Sequence, residues 1–259
     1  MDRGIRGNSV ERMFVMPTDE PPTAFGQAHA AAYDQRFAKL APLRDALHLL
    51  ISAIFADLPA EARILCVGAG TGHELLYLAQ KFPQWRFSVV EPSAPMLEVC
   101  RRKSEECGIM ARCFFHEGYL ESLPPSAPFD AATSLLVSQF ILTSDARAGF
   151  FNSIALRLRP GGYLASADLA SDTTSATYQS LLDVWLRLMR ETGSPPEQLE
   201  RLRVIYGTEV AVLPVDQVSS IIASSGFETP VLFLQTCLIH AWYAQKLKPS
   251  PSGHGSQCR

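Results

Sequence analysis

The sequence has no long apolar run, no paired-cysteine motif and no excess of charge of either sign. No stretch approaches the roughly 20 apolar residues that cross a bilayer, so a membrane-spanning helix is not expected. The opening residues, "MDRGIRGNSVERMFVMPTDEPPT", lack the continuous apolar core of a secretion signal. They read as a mobile arm over residues 1–23, with Met13 and Met16 as alternative starts. The six cysteines are Cys66, Cys100, Cys107, Cys113, Cys237 and Cys258; none stands in C-x-x-C spacing and several lie inside apolar runs. Such spacing suits neither a zinc site nor a disulfide framework, and reduced core thiols are the simpler expectation. No metal ligation is expected. A net charge of −3 carries no whole-chain signature of nucleic-acid binding. The local basic cluster "CRRK" at residues 100–103 reads as the solvated face of a helix. On these absences a cytoplasmic protein is the expectation, with no membrane partner and with nucleic acid disfavoured though not excluded.

What is present is enough for one sizeable core: 259 residues, 47% of them hydrophobic. Residues 31–58, "AAYDQRFAKLAPLRDALHLLISAIFADL", carry apolar positions at helical spacing interrupted near Pro42, which predicts two N-terminal helical pieces. Strands and helices then alternate. "RILCVG", "RFSVVE", "ARCFFHEG", "FDAATSLLV" and "YLASADL" read as buried strands. Between them, "GHELLYLAQKF" and "SAPMLEVCRRKSEECG" read as helices, the second capped by Ser93 with Gly108 beyond its end. "DARAGFFNSIALRLRPGG" is a helix stopped by Pro160 and Gly161. This alternation predicts an α/β, Rossmann-like, doubly wound sheet, mostly parallel, with its ligand site outside the carboxyl ends of the strands.

From about residue 171 to 212 the pattern turns helical, with an apolar stripe of Leu181, Leu182, Trp185 and Leu188. That reads as a helical insertion over the sheet's carboxyl edge, a lid or an oligomer surface. "PVDQVSSIIASSGF" is a helix closed by Gly226; "ETPVLFLQT" and "CLIHAWYAQ" are two adjacent strands. One domain over residues 24–246 is expected, with a disordered Pro/Ser/Gly-rich tail over residues 247–259.

The chemistry starts at "VGAGTG", residues 67–72, which follows a strand and opens a helix. Gly68 and Gly70 allow a tight turn and close backbone approach to a ligand; Gly72 allows close packing at the helix start. Glu91 ends the next strand about twenty residues on, where an acid can accept both hydroxyls of a ribose. A tight turn beside an exposed acid is the bland alternative. A dinucleotide fingerprint wants a third glycine at position 73, which is His73 here.

The spacing G-A-G-T-G resembles the first motif of class I S-adenosylmethionine (SAM)-dependent methyltransferases. "VVEPSAPMLEVCRR", "FFHEGYLESLP", "FDAATSLLVSQFI" and "LRLRPGGYLASADL" resemble that family's later motifs, in order. The resemblance implies a seven-stranded sheet ending in an antiparallel hairpin, and SAM as the cofactor. It implies that Gly68, Ala69 and Gly70 lie against the methionine moiety, and that Glu91 holds the ribose. By the same pattern Tyr33, Pro92, Ser93, Met96 and Leu135 border the cofactor, and Gly118, Tyr119 and Leu120 edge the adenine. The implied activity is methyl transfer to a small molecule, in bacterial secondary or specialised metabolism.

The layout of the second half is similar to the carboxy-SAM synthase and tRNA-wobble-uridine branch, whose members are homodimers. In that branch an insertion-helix arginine holds a carboxylate; the corresponding residue is Arg203, with a solvated helix arginine as the alternative. Three polar positions of that branch are Tyr119, Leu135 and Leu43 here, which argues against carboxy-SAM synthesis itself. Ser138 and Gln139 are candidates to orient the acceptor. Tyr178, Trp185 and Tyr206 form either an aromatic wall or ordinary helix packing. His48 and His116 read as core histidines, and His73 as a neutral imidazole at a helix start or a surface residue. Two alternatives stand beside methyl transfer. One is atypical SAM chemistry: cyclisation to azetidine-2-carboxylate with release of methylthioadenosine, or carboxy-SAM-type synthesis. The other is a SAM-binding module without turnover.

Overall fold

The computed structural model of the chain describes residues 33–35 and 37–249. The expected arm at residues 1–23 and residues 250–259 of the expected tail lie outside them. Seven strands form one sheet in the order β3-β2-β1-β4-β5-β7-β6. β1 (Arg63–Val67), β2 (Arg86–Glu91), β3 (Cys113–Glu117), β4 (Phe129–Leu135) and β5 (Leu158–Leu169) are mutually parallel. β6 (Val231–Thr236) and β7 (Ile239–Gln245) close the sheet as an antiparallel hairpin, with β7 antiparallel to β5 as well. The chain reverses direction across β1 between β2 and β4, which is the switch point where such sheets take ligands.

Strand periodicity sends alternate side chains to the two faces. From β1, Ile64 and Cys66 enter one core and Leu65 and Val67 the other. The first core packs α1 (Ala41–Ile54), α2 (His73–Lys81) and α3 (Ala94–Glu106) through Ile51, Leu75, Leu78 and Leu97. The second packs α4 (Ser144–Arg157) and α7 (Val215–Ser224) through Phe151, Ile154, Val218 and Ile222. A third cluster lies in the insertion, α5 (Ala176–Glu191) and α6 (Pro196–Ile205), and reaches Leu43 of α1 and Phe140 beyond β4.

Local chemistry explains most boundaries. Pro42 sits in the first turn of α1, where its missing N–H is no loss. The Ser93 hydroxyl accepts from Met96 N at 3.4 Å and caps α3. Several boundaries differ from expectation. β4 ends at Leu135 rather than residue 137, because Leu136 takes a left-handed conformation (φ 59°) and turns the chain away. β3 starts two residues late, after a turn at Met110–Arg112. α4 stops at Arg157, before Pro160, and β5 already begins at Leu158; residues 159–162 bulge between the Leu158 and Tyr163 pairings. The insertion is helical only over α5 and α6; residues 206–213 return as irregular chain with isolated bridges at Tyr206–Val210 and Ala170–Leu213.

Candidate functional site

The loop of residues 68–72 leaves the carboxyl end of β1 at the switch point. Its amides fold back onto β2: Gly68 N and Ala69 N both donate to Val90 O, at 2.8 and 3.3 Å. Gly68, Gly70 and Gly72 all take positive φ, a conformation that penalises a side chain. Their surroundings separate their roles. A Cβ at Gly68 would collide with Val137, and one at Gly72 with Cys100 on α3. Gly70 alone faces open space. The close packing expected at Gly72 is present, whereas Gly68 is required by Val137.

Glu91, at the end of β2, is 7% exposed. Its Oε2 accepts from Gly70 N at 2.8 Å and its Oε1 from Ser93 N at 2.9 Å. Burial raises its pKa, and the amides of Ser93 and Gly70 oppose that by favouring the ion. A carboxylate offers about four lone-pair sites, so each oxygen keeps an acceptor position free for a ligand hydroxyl.

Around this pair, Tyr33 packs on Met96 and Val99 of α3. Gly118 N donates to Glu91 O at 3.2 Å, which brings the end of β3 to the same edge. Pro92 and Tyr119 are exposed, Tyr119 at 59%. Leu120, expected at the adenine edge, buries its side chain in the second core beside Phe129 and Phe151. Ala69 and Leu135 likewise turn side chains into the first core, so whatever Ala69 and Leu120 offer a ligand is backbone.

Sequence patterning missed a polar knot over the loop. Asp34 accepts from the Thr71 hydroxyl at 2.6 Å, contacts His73 Nε2 at 2.9 Å, and pairs with Lys103 Nζ of α3. Burial works to raise its pKa, but the hydrogen bonds from His73, Lys103 and Thr71 outweigh it and hold the carboxyl well below the usual range. Arg44 Nη1 lies 3.3 Å from the same His73 nitrogen. His73 is thus tied into this knot rather than standing as a surface residue. Glu74, the next residue, is buried, and burial pushes its pKa up to about 7.

Ser138 and Gln139 lie past the end of β4 in a short turn and are buried. Ser138 Oγ donates to Asp168 Oδ2 at 2.7 Å, and Gln139 N donates to Asp168 Oδ1 at 2.9 Å. Gln139 Oε1 accepts from Leu169 N at 2.7 Å. Ser138 Oγ, Gln139 N and Gln139 Oε1 are thus engaged inside the protein. Asp168 is raised to about 6 by burial, against the Arg147 charge and the Ser138 hydroxyl. Arg147 is fully buried and donates to Ala211 O at 3.0 Å.

Tyr178 is buried in the insertion; burial raises its pKa while the nearby Arg203 charge opposes the rise. Trp185 Nε1 donates to Tyr206 Oη at 2.7 Å, so both aromatics belong to the insertion core rather than to an open wall. Arg203 is ion-paired to Asp183 at 2.7 Å and lies 3.8 Å from Glu200. Its described partners are all insertion residues, and it borders a cavity between α5 and α6. His48 is buried, its pKa lowered to about 4 by burial and then by the Arg44 charge. His116 is hydrogen-bonded to Ser122 at 2.8 Å and is not a core residue.

Residues 64–162, which contain the loop, Glu91 and β4, match the family model of a methyltransferase domain. A fatty-acid O-methyltransferase of Mycolicibacterium smegmatis is 31% identical over 107 residues, covering 41% of this chain and 36% of that protein. The chain thus spans about a third of the curated relative it matches. A putative O-methyltransferase structure from Nostoc punctiforme superposes with a TM-score of 0.64 at 16% identity, covering 88% of this chain and 62% of that one. An O-methyltransferase family 2 protein from Planctomyces limnophilus, solved in complex with apigenin, gives 0.55 at 19% identity over 83% of this chain and 61% of that one. The fold is the Rossmann-like fold of class I SAM-dependent methyltransferases. Among the described residues no helix is long and apolar enough to cross a membrane.

Proposed function

We propose that the chain binds SAM at the glycine loop and transfers its methyl group to an oxygen of a small-molecule acceptor. The observation that carries this reading is the pairing of Gly70 and Glu91. The one loop glycine with open space before it is hydrogen-bonded to a buried carboxylate that keeps free acceptor positions. An uncluttered backbone edge beside such an acid suits an amino acid joined to a ribose. In this reading the Gly70 edge receives the methionine moiety and Glu91 takes the ribose hydroxyls. Tyr33, Pro92, Ser93 and Met96 flank the sugar, and Gly118 and Tyr119 edge the adenine. The O-methyltransferase relative and neighbours support oxygen as the acceptor atom.

SAM, when bound, supplies a methyl group on a sulfonium that is itself the leaving group. The chain's part is to orient the acceptor and exclude water. Ser138 and Gln139 act here through Asp168, as supports for the turn beyond β4. An acceptor already ionised at neutral pH needs no proton removed by the protein, in keeping with the engaged state of His73 and His116. The reading includes bacterial specialised metabolism, the cytoplasm and a homodimer; light scattering tests the last.

Incubation of the purified chain with SAM, analysed by mass spectrometry, is the experiment. SAM alone is expected to stay intact, and a carboxylate acceptor to give a methyl ester with S-adenosylhomocysteine. Methylthioadenosine with an azetidine product, or a carboxylated SAM, would replace methyl transfer by the atypical chemistries. Binding without any turnover across acceptors would leave a SAM-binding module. Glu91→Ala is expected to weaken SAM binding at least about tenfold, the loss of one charge-assisted pair of hydrogen bonds. Unchanged affinity would remove Glu91 from the ribose.

A further inference from the structure

A half-open cleft of about 330 Å3 lies between the two insertion helices, within the range of small-ligand pockets, roughly 300–1,000 Å3. α5 presents Asp183, Arg187 and Arg190 to it at i, i+4 and i+7, along one helix face. From α6, Glu200 and Arg203 border it in the same manner. Leu186 and Leu199, themselves nearly buried in the insertion core, and the exposed Pro196 form its apolar floor.

The charges around this space are not evenly matched. Arg203 is held by Asp183 and faces Glu200, so these three groups compensate one another. Arg187 and Arg190 are exposed, and among the described residues neither side chain makes a hydrogen bond or ion pair. Arg190 lies in the last turn of α5, where a cation complements the helix dipole. That accounts for its sign but not for the hollow beside it.

We propose that this cavity binds a small amphipathic monocarboxylate. Arg187 and Arg190 hold the carboxylate, and Leu186, Pro196 and Leu199 take the apolar body. The guanidinium fork matches a carboxylate in planar, bidentate geometry. Asp183 and Glu200 border the same space and disfavour a second negative charge. The site is distinct from the glycine loop, none of whose residues lines the cavity, and the inference does not rest on methyl transfer.

Ligand-observed NMR titration of the full chain with octanoate, and with octanol as its uncharged counterpart, tests this. Octanoate is expected to bind, and octanol at least about tenfold more weakly, as loss of a charge-assisted hydrogen bond implies. Arg187→Ala combined with Arg190→Ala is expected to weaken octanoate about tenfold or more by the same reasoning. Its SAM affinity and melting temperature should stay as in the parent. Arg187→Gln with Arg190→Gln, which keeps helix propensity, replaces the alanine pair if that pair melts early. Equal binding of octanol, no octanoate binding, or undiminished binding by the variants overturns the proposal. Glu91→Ala is expected to lose SAM and keep octanoate, so failure here and failure of the methyl-transfer reading are told apart.

Discussion

Gly68 and Gly70 share a backbone conformation and differ in what stands before them. Alanine at either position is strained by about 1–2 kcal/mol in the left-handed region. At Gly68 the new methyl also meets Val137, and overpacking adds about 1–3 kcal/mol. Gly68→Ala is therefore expected to lose more stability in urea unfolding than Gly70→Ala. Gly70→Ala should instead show the larger drop in SAM affinity for its loss of stability, since its methyl enters the open space. Glu74 makes a separate prediction. Its pKa is about 7 in the fold against an ordinary carboxylate value of 4.5, with burial as the main cause. The folded chain then binds a proton that the unfolded chain releases, so stability falls as pH rises from about 4.5 to about 7 and stays low above that. Glu74→Gln removes this penalty, at most about 3 kcal/mol. It should raise the melting temperature at pH 8 and change it little at pH 4; an equal shift at both values would exclude titration as the cause.

Among elements, the helical turn at Tyr33 is joined to two others by one side chain. Asp34 binds Thr71 of the glycine loop, His73 of α2 and Lys103 of α3, while Tyr33 covers Met96. This carboxylate thus ties the turn to the glycine loop and to α3. Asp34→Ala is expected to expose the chain before α1 to limited proteolysis and to weaken SAM binding, with global unfolding less affected. The pKa of Asp34 is lowered in the fold, so its contribution is fully present above the ordinary carboxylate range. It is lost as pH falls through that range toward the lower folded value. Proteolytic protection of this segment should therefore decline in acid in the parent and be flat with pH in Asp34→Ala.

Across the whole molecule, one buried network joins the carboxyl ends of β4 and β5 to α4 and to the exit of the insertion. Asp168 on β5 accepts from Ser138 and Gln139 beyond β4. The carbonyl of Gln139 takes Ala211 N at 2.8 Å, and Arg147 on α4 takes Ala211 O. Asp168 is the charge that opposes the desolvation of buried Arg147. Leaving a buried donor without its acceptor costs about 1–3 kcal/mol. Asp168→Asn, whose amide cannot accept from both Ser138 Oγ and Gln139 N, is expected to show a loss of that size in chemical denaturation, whereas Asp172→Asn, on the exposed loop that follows, should be near neutral.

The order of strands and helices was legible because each element carries its own periodicity and its own stop signals. The glycine loop and Glu91 were legible for a similar reason: turn chemistry and the end of a strand are local features. Ser93 as a cap belongs with them. By contrast Asp34, Glu74, Asp168 and Arg147 are ordinary acids and an ordinary arginine until the chain is folded. Asp34 meets Lys103, and Arg147 meets Ala211, across long separations in sequence. Ser138 and Gln139 were found by their place after β4, but which way they faced depended on Asp168. Arg203 rested on family resemblance, and the fold paired it with Asp183 while the side chains of Arg187 and Arg190 have no partner among the described residues. The sequence alone determined the architecture and the bare backbone edge, since backbone conformation follows from neighbouring residues. Only the tertiary structure decided which charges are buried, which are paired and which face a cavity, because partners across elements are set by packing register.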